Sequence, residues 1–204
     1  MNKIITVGRQ FGSGGREIGR RLSEKLGIAY YDREIVAEIA KRTQLSEEYV
    51  KSVSESRPIA SFPIHTGTSL FTLPNAVFQQ NMVVYAEQHK ILLEMAEKSD
   101  CVIVGRCADY VLREFNPFRI FVYADEQSKL QRCMSRMGDN NMTERELKRK
   151  MVEMDKNRAG YYSFFSGNKW GDKDNYDLML NTSNADVKAI TEHLANYVKD
   201  LFKQ

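Results

Sequence analysis

Apolar residues in this 204-residue chain gather into five short runs, separated by longer stretches in which they recur every three or four positions. The runs cover 4–7, 28–31, 101–104, 118–123 and 176–180, and most are rich in Val and Ile. A continuous apolar run of this length predicts a strand buried on both faces. Between the runs, Ile18, Leu22 and Leu26 mark one stripe of a helix over 14–26, and Gly27 fits its C-terminal cap. Further helices are predicted over 33–41 (with Asp32 as N-cap), 46–53, 76–98, 108–114, 126–137, 143–161 and 185–202. Thr143 with Glu146 reads as a capping box. Residues 138–142 read as a polar turn and 163–175 as an aromatic, glycine-containing loop. Residues 56–75 hold three of the chain's 4 prolines with no clear period and read as a long loop.

Strands alternating with helices predict an α/β fold, a parallel sheet covered on both faces. Ligands in such sheets bind beyond the carboxyl ends of the strands. Those ends fall at 8–15, Asp32, Gly105-Arg106, Ala124-Asp125 and 181–183. Composition alters this picture little. The 30 Lys and Arg nearly balance the 27 Asp and Glu, for a net charge of +3, which argues against a dedicated nucleic-acid binder. No run approaches a membrane span and the first residues carry no secretory h-region, so a cytoplasmic protein is expected. Cys101, Cys107 and Cys133 have no metal-type spacing and read as reduced thiols; His65, His89 and His193 show no ligand spacing either.

Chemistry concentrates in Gly12-Ser13-Gly14-Gly15-Arg16-Glu17, between the first strand and the first helix. Glycines let a backbone turn its N–H groups toward an anion, and the helix N-terminus adds its dipole. A nucleotide's phosphates are the expected ligand. The turn departs from G-x-x-x-x-G-K-[ST]. Gly15 occupies the lysine position, so Arg16 is the expected substitute charge and Glu17 the expected Mg²⁺ ligand.

The segments 5–17, 101–109, 155–158 and 176–183 together resemble the cytidylate kinase-like family, a branch of the P-loop nucleoside monophosphate kinases. The resemblance implies a single three-layer P-loop domain with a five-stranded parallel sheet and a helical lid. Its core would be 1–55, 99–137 and 176–204, its acceptor-side flap and helix 56–98, and its lid 138–175. It implies ATP and Mg²⁺, with a small nucleotide acceptor such as CMP or dCMP held by Asp32, Arg106, Asp109, Asp155 and Arg158. Cys107 stands where the family has an Asp, and Met151, beside Lys150, where it has a lid arginine.

Phosphoryl transfer needs positioning and neutralisation of charge more than covalent help, and arginine's planar fork suits both. Arg16, Arg132, Arg136 and Arg158 are therefore the expected catalytic cations. Arg145 and Arg149 read first as a solvated helix face. The run 161–165 and Trp170 read as a packed lid or subunit contact before a base-stacking surface, and a homo-oligomer is compatible with that. Two other readings stay open at this stage: a nucleotide-binding sensor without useful turnover, and a kinase acting on a non-nucleotide metabolite.

Overall fold

The computed structural model describes residues 2–55, 76–136 and 142–203. Five parallel strands, β1 (Ile4–Arg9), β2 (Ala29–Tyr31), β3 (Cys101–Val104), β4 (Phe118–Tyr123) and β5 (Leu178–Asn181), form one sheet in the order β2-β3-β1-β4-β5. β1 is central, with Val7 aligned to Val104 on one side and to Ile120 on the other. The chain leaves β1 toward one half of the sheet and returns to fill the other. The carboxyl end of β1 is thus the switch point where such sheets hold ligands.

Side-chain alternation divides the core in two. Ile5, Val7, Val102, Val104, Ile120 and Val122 face α1 (Gly15–Leu26) and α8 (Val187–Leu201). Ile4, Cys101 and Ile103 face α2 (Glu34–Thr43), α3 (Glu47–Glu55), α4 (Ala76–Lys98) and α5 (Ala108–Val111). A sheet buried on both faces needs apolar residues at every strand position, and this explains the unbroken runs in the sequence. α6 (Glu126–Met134) and α7 (Glu144–Ser166) pack through Leu130, Leu147 and Met151 against Phe11, beside the first strand's turn.

The helices expected at 76–98 and the strands expected at 101–104 and 118–123 have those bounds. Other elements differ. α7 continues to Ser166 because Tyr161 and Tyr162 extend its buried face onto Cys107, and it stops only at Gly167 (φ 73°). The residues 163–166 are therefore helix, not loop. α2 is capped by Arg33 without a side-chain bond, since the carboxylate of Asp32 is drawn to Arg16. α6 ends at Met134, where the Ser135 amide closes on Gln131 O. β5 begins at Leu178, because Tyr176 turns inward onto Phe121 and Asp177 accepts from Arg119. The expected loop at 56–75, and most of the turn at 138–142, lie outside the described residues.

Candidate active site

Ile4–Arg9 feeds directly into the glycine turn. Gly12 (φ 75°) and Gly14 (φ 83°) adopt left-handed conformations that non-glycine residues rarely take, so the turn can coil beneath the start of α1. A Cβ on Gly12 would lie 2.8 Å from Cys133 Sγ and 3.0 Å from Lys129 O, so α6 is packed directly on the turn. Buried Ser13 donates its hydroxyl to Gln10 O (2.9 Å), and its own carbonyl accepts from Thr182 Oγ1 (2.7 Å). Gly14 precedes the first turn of α1 without a side-chain cap, leaving amides at the helix N-terminus for a ligand.

The expected residues divide by what they hold. Arg132 gives Nη1 to Gly12 O (2.7 Å) and Nη2 to Thr182 O (3.0 Å), which makes it a strut of the turn. It does not line the hollow beside the turn. Arg16 pairs through Nε with Asp32 Oδ2 at 2.6 Å, so the two residues neutralise each other at the rim. Glu17 is bonded by both Arg21 (2.8 Å) and Arg136, and these contacts hold its carboxyl below the ordinary range despite partial burial. Asp155 accepts the Phe11 amide at 2.6 Å and lies near Lys129 Nζ (3.9 Å), fixing α7 to the turn. Burial nevertheless pushes its carboxyl up. Asp155 lines neither of the two cavities described next.

One cavity of about 470 Å³ runs along Gly12, Gly14 and Gly15, and Arg9, Arg16, Lys51, Arg136, Lys150 and Arg158 supply its charge. That volume is in the range of ligand pockets. The second, about 40 Å³, is enclosed by Arg9, Arg106, Arg158, Asp109 and the aromatic residues Tyr161, Tyr162, Trp170 and Tyr176. Arg9 and Arg158 line both. These two arginines are common to a polyphosphate-sized hollow and a small anion-sized one.

Gly105, Arg106 and Cys107 are three successive residues at positive φ (75°, 60° and 53°). Non-glycine residues in that region cost about 1–3 kcal/mol each, so the packing must hold them there. Gln88 does so from α4, donating to Arg106 O (3.1 Å) and lying 3.0 Å from Tyr161 Oη. Asp109 accepts from Tyr162 Oη at 2.7 Å, and burial raises its carboxyl pKa.

Sequence reasoning missed Arg9, Lys51 and the placement of Lys150. Arg9 is the last residue of β1, and a cation at the carboxyl end of a central strand is the signal that could have found it. Burial first, and then Arg158, pull its pKa down to about 9, while Asp32 acts the other way. It remains protonated at neutral pH. Met151, at the position of the expected lid arginine, is buried beside Leu147, and neighbouring Lys150 reaches the hollow instead.

Mg²⁺ does not find a ready set of ligands. Both carboxylate oxygens of Glu17 face guanidinium groups, and no group of three or more His, Cys, Asp or Glu among the described residues could hold a metal. No described helix is long and apolar enough to cross a membrane.

A parallel sheet with a phosphate-type turn after its central strand, and a helical pair laid over that turn, defines a P-loop kinase fold. The profile of the cytidylate kinase-like family matches residues 4–184, and the chain belongs to that family. A cytidylate kinase from Thermoplasma acidophilum is 24% identical over 203 residues, covering 98% of this chain and 94% of its own. Among solved structures, an uncharacterised protein from Eubacterium ventriosum superposes with a TM-score of 0.70 at 27% identity, covering 97% of this chain and 99% of that one. A shikimate kinase from Bacteroides thetaiotaomicron shares the fold, with a TM-score of 0.58 at 13% identity, covering 97% and 98% of the two chains.

Proposed function

We propose that this kinase-family chain transfers the terminal phosphoryl group of ATP to a small phosphate-bearing acceptor, with CMP and dCMP as the first candidates. The carrying observation is the shared wall: Arg9 and Arg158 line both the 470 Å³ hollow along the glycine turn and the 40 Å³ cavity beside it. A phosphoryl group crossing from one to the other stays beside guanidinium charge throughout. That satisfies the main demand of the reaction, which is neutralisation and alignment of the transferred group.

In this reading the donor phosphates lie on the amides of Gly12–Glu17, with Arg136, Lys51 and Lys150 around them. Arg106 and Arg158 receive the acceptor's anionic group, and Asp109, held by Tyr162, faces the same space. Asp32 and Asp155 act through Arg16 and the Phe11 amide as positioning residues. Because Glu17 is already engaged, no step is assigned to Mg²⁺. A coupled ADP-release assay over nucleoside monophosphates tests the proposal. Turnover with CMP or dCMP supports it, and absence of turnover with every phosphate acceptor, from folded protein, overturns it.

One observation favours a different acceptor within the same chemistry. The second cavity, about 40 Å³ and walled by Tyr161, Tyr162 and Trp170, admits an anionic group but not a nucleoside. An acceptor smaller than a nucleoside, a non-nucleotide metabolite, asks for less opening of this cavity. The same assay, extended to phosphorylated sugars and hydroxy acids, separates the two.

A further inference from the structure

The spacing G-x-x-x-x-G-K places its second glycine on Gly14, its lysine on Gly15 and its first glycine on Arg9. The cation and the glycine have therefore changed places across the turn. Their side-chain positions are one site in space. A Cβ built on Gly15 would lie 2.5 Å from Arg9 Cβ and 3.2 Å from its Cγ, closer than two such carbons approach. Gly15 is not at positive φ, so its own backbone would accept a side chain; the closest obstacle is Arg9, with Val122 Cβ next at 3.2 Å. The far end of Arg9 makes a second demand. A Cβ on Gly105 would lie 1.7 Å from Arg9 Nη1, so the end of the guanidinium fills the space a side chain there would need, and both residues line the second cavity.

The position is also short of counter-charge. Arg158, Arg106 and Arg16 all repel Arg9, and the carboxylates coupled to it already have partners: Asp32 pairs with Arg16 at 2.6 Å, and Asp155 accepts the Phe11 amide at 2.6 Å. Arg132, the half-buried guanidinium on the other side of the turn, is consumed by two carbonyls. Arg9 is thus held by the shape of the protein, in the lining of both cavities, in a field that an anionic ligand would relieve.

We infer that Arg9 is the catalytic residue that takes the place of the P-loop lysine, bridging donor and acceptor phosphates from the opposite side of the turn, and that Gly15 is glycine to make room for it. This deepens the phosphotransferase reading and rests on it.

The test is a reciprocal exchange. Arg9→Met keeps side-chain volume and removes charge; Arg9→Gly with Gly15→Lys restores the ordinary spacing. Loss of one preorganised donor to the charge that develops in a transition state typically costs 10²–10³ in rate. Arg9→Met is expected to lower kcat by about that factor with a much smaller change in KM, and to weaken binding of inorganic tripolyphosphate, measured by calorimetry, about tenfold. Gly15→Lys alone is expected to lose activity, and the double variant to recover at least about tenfold over Arg9→Gly alone. Arg9→Met with kcat and tripolyphosphate affinity within about threefold of the parent overturns the inference, as does a fully active Gly15→Lys. Failure of the underlying reading looks different: the parent binds tripolyphosphate, Arg9→Met weakens that binding, and no acceptor is phosphorylated. In that case Arg9 stands as the anion-binding group of the turn but not as a catalytic one.

Discussion

Asp109 is a carboxyl group in an expensive place, buried beside Cys107 and bonded at 2.7 Å by Tyr162 Oη. Burial raises its pKa, so the native state binds this proton more tightly than the unfolded chain does. Stability from this group is greatest below the unfolded value of about 3.9 and declines as pH rises through the native one. Asp109→Asn keeps an acceptor for Tyr162 and removes the titration. Urea midpoints between pH 4 and 7 are expected to shift in the variant's favour as pH rises; a constant difference would show that Asp109 does not titrate in that window. Thr182→Val is a second residue-scale case. It leaves the buried Ser13 carbonyl without its 2.7 Å donor and should cost about 1–2 kcal/mol in urea unfolding. The sequence made the glycines legible because a turn needs them. It hid Arg9, the tie of Thr182 to Ser13 and the partner of Asp155, since each acts on a residue far along the chain: Asp155, expected at the acceptor, meets the Phe11 amide across 144 positions.

Elements whose ends are marked by punctuation are those the sequence located. Asp100 and Gly105 bracket β3, Pro117 precedes β4, and the buried runs between them tolerate no ambiguity. The end of α7 was obscured because its last turns are aromatic. Tyr161, Tyr162 and Phe165 bury against Cys107 and Tyr85, a tertiary reason to stay helical that propensity alone does not carry. At its other end, α7 depends on local chemistry. Thr143 Oγ1 accepts the Glu146 amide while the Glu146 side chain returns to the Thr143 amide (2.8 Å). Thr143→Ala is expected to weaken this end by about 1 kcal/mol. Hydrogen exchange should quicken at the amides of Glu144–Glu146 and remain unchanged near Asp155, where Phe11 anchors the helix independently.

For the molecule as a whole, the positive field around one turn makes stability depend on ligand. A ligand at one hundred times its Kd adds about 2.7 kcal/mol, which for a chain of this size raises Tm by about 5–10 °C. ATP is expected to produce a rise of that order in a thermal-shift experiment. Raising the salt concentration should erode the rise, since screening weakens the arginine–phosphate attraction. Arg158→Met, in the lining of both cavities, should reduce it at every salt concentration. The fold itself followed from pattern: five unbroken apolar runs and the helical stripes between them leave a doubly covered parallel sheet as the natural outcome. Which cations meet at the end of that sheet was not written in any period.

The mutual exclusion of Arg9 and a side chain at position 15 also constrains descent. Two forms of the loop, one charged from β1 and one from α1, are separated by at least two substitutions. Gaining a lysine first meets a 2.5 Å collision between Cβ atoms. Losing the arginine first leaves the turn with neither charge. With Arg9 as the inferred catalytic cation, each single step is expected to lower activity, so a lineage carrying Arg9 would be expected to keep it and to vary elsewhere.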